Sequence, residues 1–298
     1  MKIDFVGKRY FFMALSAVLI IVSIISFFTK GFNLGLEFIG GSEIVVKTSK
    51  DITVADVRQK ISSLGQEFTN ARILEVHALG QETDKTFSIV VAPKDEKGQL
   101  RVYTADEKAE ISKKIENLLN AKVVSFNEIS GDAANEIKNL TWKAIVFTLL
   151  GILVYVALRF KFSFGVGAIL ALIHDVIITM GFYSIFGIEM NIAAIAALLT
   201  LVGYSVNDTI IVFDRIREFG KKFRGKDIAT IVNDSINSVL VRTINTSLTT
   251  FFTVLMLLLF STGGIKSFAF GMTIGVVVGT YSSIFIASPV VIKWTKSI

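Results

Sequence analysis

Six stretches of the chain are apolar over lengths that can cross a lipid bilayer, and no other feature limits the fold so strongly. They fall at about residues 10–28, 141–158, 163–186, 191–213, 236–260 and 267–292. A hydrocarbon core takes roughly 20 residues of helix to cross, and unpaired backbone amides inside it are costly. Each stretch is therefore predicted to be a membrane-spanning α-helix. The first follows Lys2, Lys8 and Arg9 as a signal peptide would, but residues 26–30 offer no small-x-small cleavage pattern, so it reads as an uncleaved span.

Lysine and arginine predict the orientation. One set of gaps holds Lys2, Lys8 and Arg9, then Arg159 and Lys161. The same set continues with Arg215, Arg217, Lys221, Lys222, Arg224 and Lys226, and ends with Lys293 and Lys296. The opposite short gaps hold only Lys266. The positive-inside rule places the first set, and with it both termini, in the cytoplasm. The net charge of +6 gathers beside the apolar runs, which argues against nucleic acid as a partner. With no cysteine in the chain, disulfides and cysteine-ligated metal or iron–sulfur centres are excluded, and no metal site is expected.

Most of the charge lies in one block, roughly 47–138, between the first two spans and so outside the cytoplasm. Residues 31–138 are predicted to form a small α+β domain. Short strands are expected at 43–47, 72–79, 85–92 and 121–129. Thr53 caps a helix carrying Val54, Val57, Ile61 and Leu64 on one face. Thr104 and Glu107 form a capping-box signature ahead of Ile111, Ile115 and Leu118. The order βαββαβ is the ferredoxin-like pattern. His77 stands alone in a strand-like run and reads as structural, and no catalytic constellation is present. Residues 139–298 carry spans two to six. A cytoplasmic segment at about 214–235 has Ile228, Ile231, Val232 and Ile236 at helical spacing. It is either an amphipathic helix on the membrane surface or a plain linker.

Ionisable residues inside spans carry the functional signal, since each costs about 2.5–3.5 kcal/mol at the centre of an inserted helix. Asp208 lies inside span four with Tyr204, Ser205 and Asn207 nearby. Span five carries Arg242, Asn245, Thr246, Thr249 and Thr253 as a polar stripe. Asp208 and Arg242 each lie about 9 Å inside the cytoplasmic ends of antiparallel spans, so their depths match and a pair is geometrically reasonable. Such a pair is either an ion relay, with Asp208 loading a proton and Arg242 re-pairing, or a fixed structural bridge. His174 and Asp175 in span three, with Thr179 one turn on, are open to the same two readings. The threonine stripe is either packing or a hydrated path.

Three segments carry a family likeness. GLEFIGG at 35–41, GYSVNDTIIVFDRIRE at 203–218 and RTINTSLTT at 242–250 resemble the SecF subunits of the bacterial SecD/SecF protein-export family. That family lies within the resistance–nodulation–division superfamily, and the likeness extends to the order and spacing of all six spans. It implies a multi-pass protein of the bacterial cytoplasmic (inner) membrane, not an enzyme. With SecD it would form a twelve-span unit beside the SecYEG channel, with YajC and YidC as further partners and membrane lipid around it. Such a unit uses the proton gradient, or sodium in some organisms, to draw a translocating preprotein outward, with no other cofactor. The family's membrane Asp and Arg fall on Asp208 and Arg242. Gly35, Glu37, Gly40 and Gly41 would form the turn into the outer domain. Glu37 departs from the Asp usual there, and its expected role is to shape that turn. Three other readings are a lipid or small-molecule exporter half, an aspartyl protease using Asp175 and Asp208, and a passive scaffold.

Overall fold

The structure is a computed structural model that describes residues 3–48, 51–76, 85–95, 98–223 and 225–294. Along the chain, α1 (Arg9–Thr29) is followed by a single turn α2 (Leu36–Ile39) and strand β1 (Gly41–Thr48). Then come α3 (Val54–Ile61), a short turn α4 (Gln66–Thr69), β2 (Arg72–Val76), β3 (Lys85–Val91), α5 (Ala105–Leu119) and β4 (Lys122–Ile129). Five longer pieces complete the chain: α6 (Gly131–Arg159), α7 (Phe162–Phe186), α8 (Ile192–Lys222), α9 (Ile228–Phe260) and α10 (Gly263–Ser282), which continues into α11 (Ser288–Trp294). Two compact units result. One comprises residues 1–33, 144–258 and 264–298, the other 34–143 and 259–263.

In the second unit the strands form one sheet in the order β2-β3-β1-β4, with every neighbouring pair antiparallel. With α3 and α5 as the connections this is the ferredoxin-like arrangement expected. Alternation along β1 points Ile44 and Val46 to one side, where they meet Phe87 and Ile89 of β3. Val57 and Ile61 of α3 and Ile115 and Leu119 of α5 close that side, all fully buried. Each such side chain contributes about 1.5–3 kcal/mol by leaving water. Both helices start in complete capping boxes, Thr53 with Asp56 and Thr104 with Glu107. Asn120, at φ 50°, ends α5 in the left-handed conformation. His77 and the expected end of β2 at 77–79 lie outside the described residues.

The entry to this unit depends on backbone more than on charge. The carbonyl of Gly35 accepts from the amides of Phe38 and Ile39, and that of Leu36 from Gly40. Gly40 and Gly41 follow at φ 71° and 114°, and a Cβ on Gly41 would meet the Val91 carbonyl oxygen at 2.4 Å. Only glycine fits there. Glu37 was expected to shape the turn, but its half-exposed carboxylate takes no hydrogen bond among the described residues. The glycines and the backbone do that work instead.

Among the described residues six helices are long and apolar enough to cross a membrane, and apart from the start of α6 and the end of α9 they belong to the first unit. Its centre is α7, which packs against α1, α8 and the last span. Helix α1 turns Ser16, Ser23 and Ser26 towards α7, and these small side chains bring the backbones close. Ser26 and Ser184 share a hydrogen bond of 2.7 Å, and Gly181 faces Ser23. The last span is one helix broken by a π-helical stretch, Ser283–Ala287. Pro289 explains it, having no N–H to return to the carbonyl four residues back.

The segment at 214–235 differs from expectation. It forms no separate helix on a surface, because α8 runs on to Lys222 and α9 already begins at Ile228. Ile231, Val232 and Ile236 do lie on one apolar side, but that side is buried against Phe213 and Ile216 of α8 and Val291 of α11. Asn233 and Asn237 on α9 hold the start of the chain. Asn233 Oδ1 accepts from the Phe5 amide at 2.8 Å and Asn237 Oδ1 from the Ile3 amide at 2.9 Å.

Candidate functional site

Asp208 sits where its helix dictates. In α8 the apolar residues Leu201, Val202, Val212 and Phe213 face the core, and Asp208 falls on that face with Ser205 one turn before it. It is 1% exposed, and neither carboxylate oxygen has a hydrogen-bond partner among the described residues. Hydroxyls lie beside it, on Ser247 of α9 and Thr280 of α10. Both hydroxyls are also engaged elsewhere. Thr280 donates to the Val276 carbonyl at 2.8 Å, Ser247 and Thr280 meet at 2.6 Å, and Tyr204 donates to Ser247 at 3.3 Å. A buried carboxyl beside hydroxyls is chemically able to take up a proton or a small cation.

Arg242 is not that ligand, which corrects the expected pair. Helix α9 turns Thr243, Ser247 and Val254 inward, and Arg242 lies about 140° around the helix from Ser247. It is exposed, and no ion pair joins it to Asp208 among the described residues. Matching depth was a sound deduction, but depth says nothing about rotation around the axis. The rest of the stripe follows Arg242 outward: Asn245, Thr246, Thr249 and Thr253 are all exposed. The threonine hydroxyls return to their own helix, Thr246 to the Arg242 carbonyl at 3.0 Å and Thr249 to that of Thr246 at 2.9 Å. Asn207 is exposed as well.

Ser205, near Asp208 on α8, makes its hydrogen bond elsewhere. It donates to Asp175 Oδ2 at 2.5 Å, and Ser282 of α10 reaches the same oxygen at 2.8 Å. Asp175 Oδ1 meets His174 Nδ1 at 2.8 Å, and His174 Nε2 meets Ser16 of α1 at 3.0 Å. The two residues are 0% and 3% exposed. Gly279 leaves room for this meeting, since a Cβ there would stand 3.1 Å from that of Ser205. Thr179, one turn along α7, is buried with no partner for its hydroxyl among the described residues.

Sequence reasoning passed over Ser16, Ser247, Thr280, Tyr281 and Ser282. Single hydroxyls in apolar helices are common, and only the seven-residue step from Ser16 to Ser23 marks a face. Among the described residues no cluster of three or more His, Asp or Glu could hold a metal.

Comparison with known proteins supplies the context for this geometry. Residues 108–297 match the family described as protein export membrane protein SecD/SecF, C-terminal, and residues 25–52 match the SecD/SecF GG motif. The protein translocase subunit SecF of Petrotoga mobilis is 50% identical over 299 aligned residues, covering 99% of this chain and 97% of that one. The SecF subunit of Calditerrivibrio nitroreducens is 42% identical over 97% of this chain and 93% of its own length. The SecDF subunit of Thermus thermophilus is 35% identical over 98% of this chain, which spans 38% of that longer protein. A crystal structure of SecDF from Thermus thermophilus, described as a translocon-associated membrane protein, aligns with a TM-score of 0.86 at 34% identity. It covers 99% of this chain and 39% of its own.

Proposed function

This chain belongs to the SecD/SecF family of protein-export membrane proteins, and from that premise we propose that it is an ion-driven half-motor of Sec-dependent export. As a multi-pass membrane component of that machinery, it moves other proteins rather than converting a small molecule. Its partner is SecD, the other part of the fused SecDF relative. SecYEG lies beyond that partner, with YajC and YidC around it. Both termini face the cytoplasm of a bacterial inner membrane, and the α+β domain faces the emerging preprotein outside.

The buried, unpartnered carboxyl of Asp208 carries the reading. An ionised carboxylate without donors in such a place costs several kcal/mol, of the order that a proton or Na⁺ removes by binding. The group is therefore stable when loaded and unstable when empty. Loading from one side and emptying to the other extracts work from the gradient, about 2.3 kcal/mol per charge per 100 mV of potential. Emptying needs a counter-charge, and Arg242 lies at the same depth but on the outward side of α9. It faces away from this chain's own helices, towards the side where a second half would stand. Relay through Asp208 and Arg242 is therefore completed by SecD rather than within one chain.

The test is preprotein translocation into vesicles holding this chain with SecD and SecYEG under imposed H⁺ or Na⁺ gradients. Asp208→Asn is expected to abolish the gradient-dependent part of export, at least tenfold, while the protein still inserts and binds SecD. Arg242→Met should do the same. A passive scaffold would export at the wild-type rate with Asp208→Asn, and that result would end the motor reading.

A further inference from the structure

Helices α8 and α9 run antiparallel and are tied together twice, and the ties fix which residues face each other. Tyr204 donates to Ser247 at 3.3 Å, and farther along Arg215 Nε donates to Ser238 at 2.8 Å. Asp208 lies four residues from Tyr204 towards the second tie, and Thr243 lies four residues from Ser247 in the same direction. Each step is about one helical turn, so the two residues stand at one level on the facing sides of the helices. Both are on inward faces, and each is 1% exposed.

The Thr243 hydroxyl behaves unlike its neighbours. Thr246, Thr249, Thr250 and Thr253 of α9 all donate to carbonyls of their own helix, at 2.9–3.1 Å. Thr243 Oγ1 forgoes that bond. It has no hydrogen-bond partner among the described residues, and neither oxygen of Asp208 has one. Buried polar atoms are rarely left so, and here three of them meet across one pair of helices. Ser247 adds a hydroxyl oxygen beside the carboxylate. A proton on Asp208 would cancel its charge, yet Thr243 would stay unsatisfied, because the two groups make no hydrogen bond to each other. An ion held between them serves both. Hard cations such as Ca²⁺ take oxygen ligands at about 2.3–2.6 Å, so oxygens on either side of one ion stand beyond hydrogen-bond range of each other. One carboxylate balances a single positive charge, whereas a divalent ion would leave a net charge buried.

We propose that Thr243 is a further ligand of the Asp208 site, and that the Asp208 carboxylate with the hydroxyl oxygens of Thr243 and Ser247 binds a small monovalent cation of the Na⁺ class between α8 and α9. The proposal rests on the reading of Asp208 as the ion-loading group and names the ion that it loads. Arg242, next to Thr243 in sequence, is exposed on another side of α9 and leaves this side to the cation. Loading ties α8 to α9 at this level, and release frees them.

The test is binding of radiolabelled Na⁺ to the full chain reconstituted in lipid with SecD. The wild type is expected to hold label that unlabelled Na⁺ or Li⁺ displaces and choline does not. Thr243→Val and Thr243→Ala both remove the hydroxyl and should weaken binding about tenfold or more. Thr243→Ser keeps the hydroxyl and should restore affinity to within about threefold, which loss of packing alone would not predict. Asp208→Asn should abolish binding. Absence of displaceable label on the wild type overturns the proposal whatever the variants do, and so does wild-type affinity in Thr243→Val and Thr243→Ala. Those results leave the relay standing if Asp208→Asn still abolishes export driven by an H⁺ gradient. Conversely, Na⁺ bound through both residues while Asp208→Asn exports at the wild-type rate would keep the site and end the motor reading.

Discussion

Gly181 and Ser23 show how little room a single residue has in the first unit. A Cβ on Gly181 would lie 2.0 Å from the Ser23 hydroxyl oxygen and 2.4 Å from its Cβ, distances no real pair adopts. Gly181→Ala is therefore expected to push α1 from α7 and destabilise the protein by about 1–3 kcal/mol. Unfolding in detergent would measure this, and Ser23→Gly in the same chain should recover part of the loss. A variant as stable as wild type would mean that the two helices do not approach here as described. Asp208 was legible from the sequence because a charge in an apolar run stands out without any knowledge of packing. The direction in which Arg242 points was not legible. Its depth follows from counting residues along one helix, whereas its rotation depends on which side of α9 the other helices bury. Asp175 lies between these cases. Its acid was visible, but its partners Ser205 and Ser282 come from helices 30 and 107 residues away, and no local pattern announces them.

At the scale of elements, what could be read was what repeats. The helix cap at Thr53, the capping box of Thr104 and Glu107 and the six apolar runs are local patterns, and all recur in the structure. The helix ends around 214–235 were less legible, because charged and apolar residues mix there and only burial against α8 and α11 decides that α9 starts at Ile228. The capping box of α5 also predicts a pH response. Arg101 grips the Glu107 carboxylate with two hydrogen bonds of 2.8 and 2.9 Å, and the Thr104 amide adds a third at 2.8 Å. These hold its acid constant down to about 2, below the ordinary 4.5. A depressed constant means a contribution that is complete above the ordinary carboxylate range and is lost as pH falls from there through about 2. The site is open to solvent, so salt weakens the effect. Glu107→Gln is expected to lower the protection of α5 amides against hydrogen exchange at neutral pH. It should also flatten the decline of that protection as the solution is acidified. Identical acid profiles for the variant and the wild type would show that the capping box does not contribute.

For the whole molecule the outward face of α9 is the feature that one chain cannot explain. Only 17% of the apolar window of α9 and 6% of that of α6 are buried, so both helices present long surfaces beyond their own unit. Apolar side chains such as Phe147, Leu150, Phe252 and Met256 can rest against lipid. Arg242 cannot do so cheaply, since a guanidinium at such depth costs about 2.5–3.5 kcal/mol unless it finds a counter-charge or water. The stripe from Arg242 through Asn245 and Thr249 to Thr253 is thus better matched to another protein than to hydrocarbon. SecD, the rest of the fused relative in which this chain matches 38% of the length, is the partner the family supplies. The chain has no cysteine, so one introduced thiol reacts alone. Thr249→Cys, with single thiols placed along the spans of SecD, is expected to cross-link readily in vesicles. Ile25→Cys, on the exposed apolar face of α1, is expected to remain uncoupled. Arg242→Met should leave the cross-link in place while abolishing gradient-driven export, which separates assembly from relay. If Thr249→Cys stayed free while Ile25→Cys coupled, the stripe would face lipid or water, and the counter-charge for Asp208 would have to come from elsewhere.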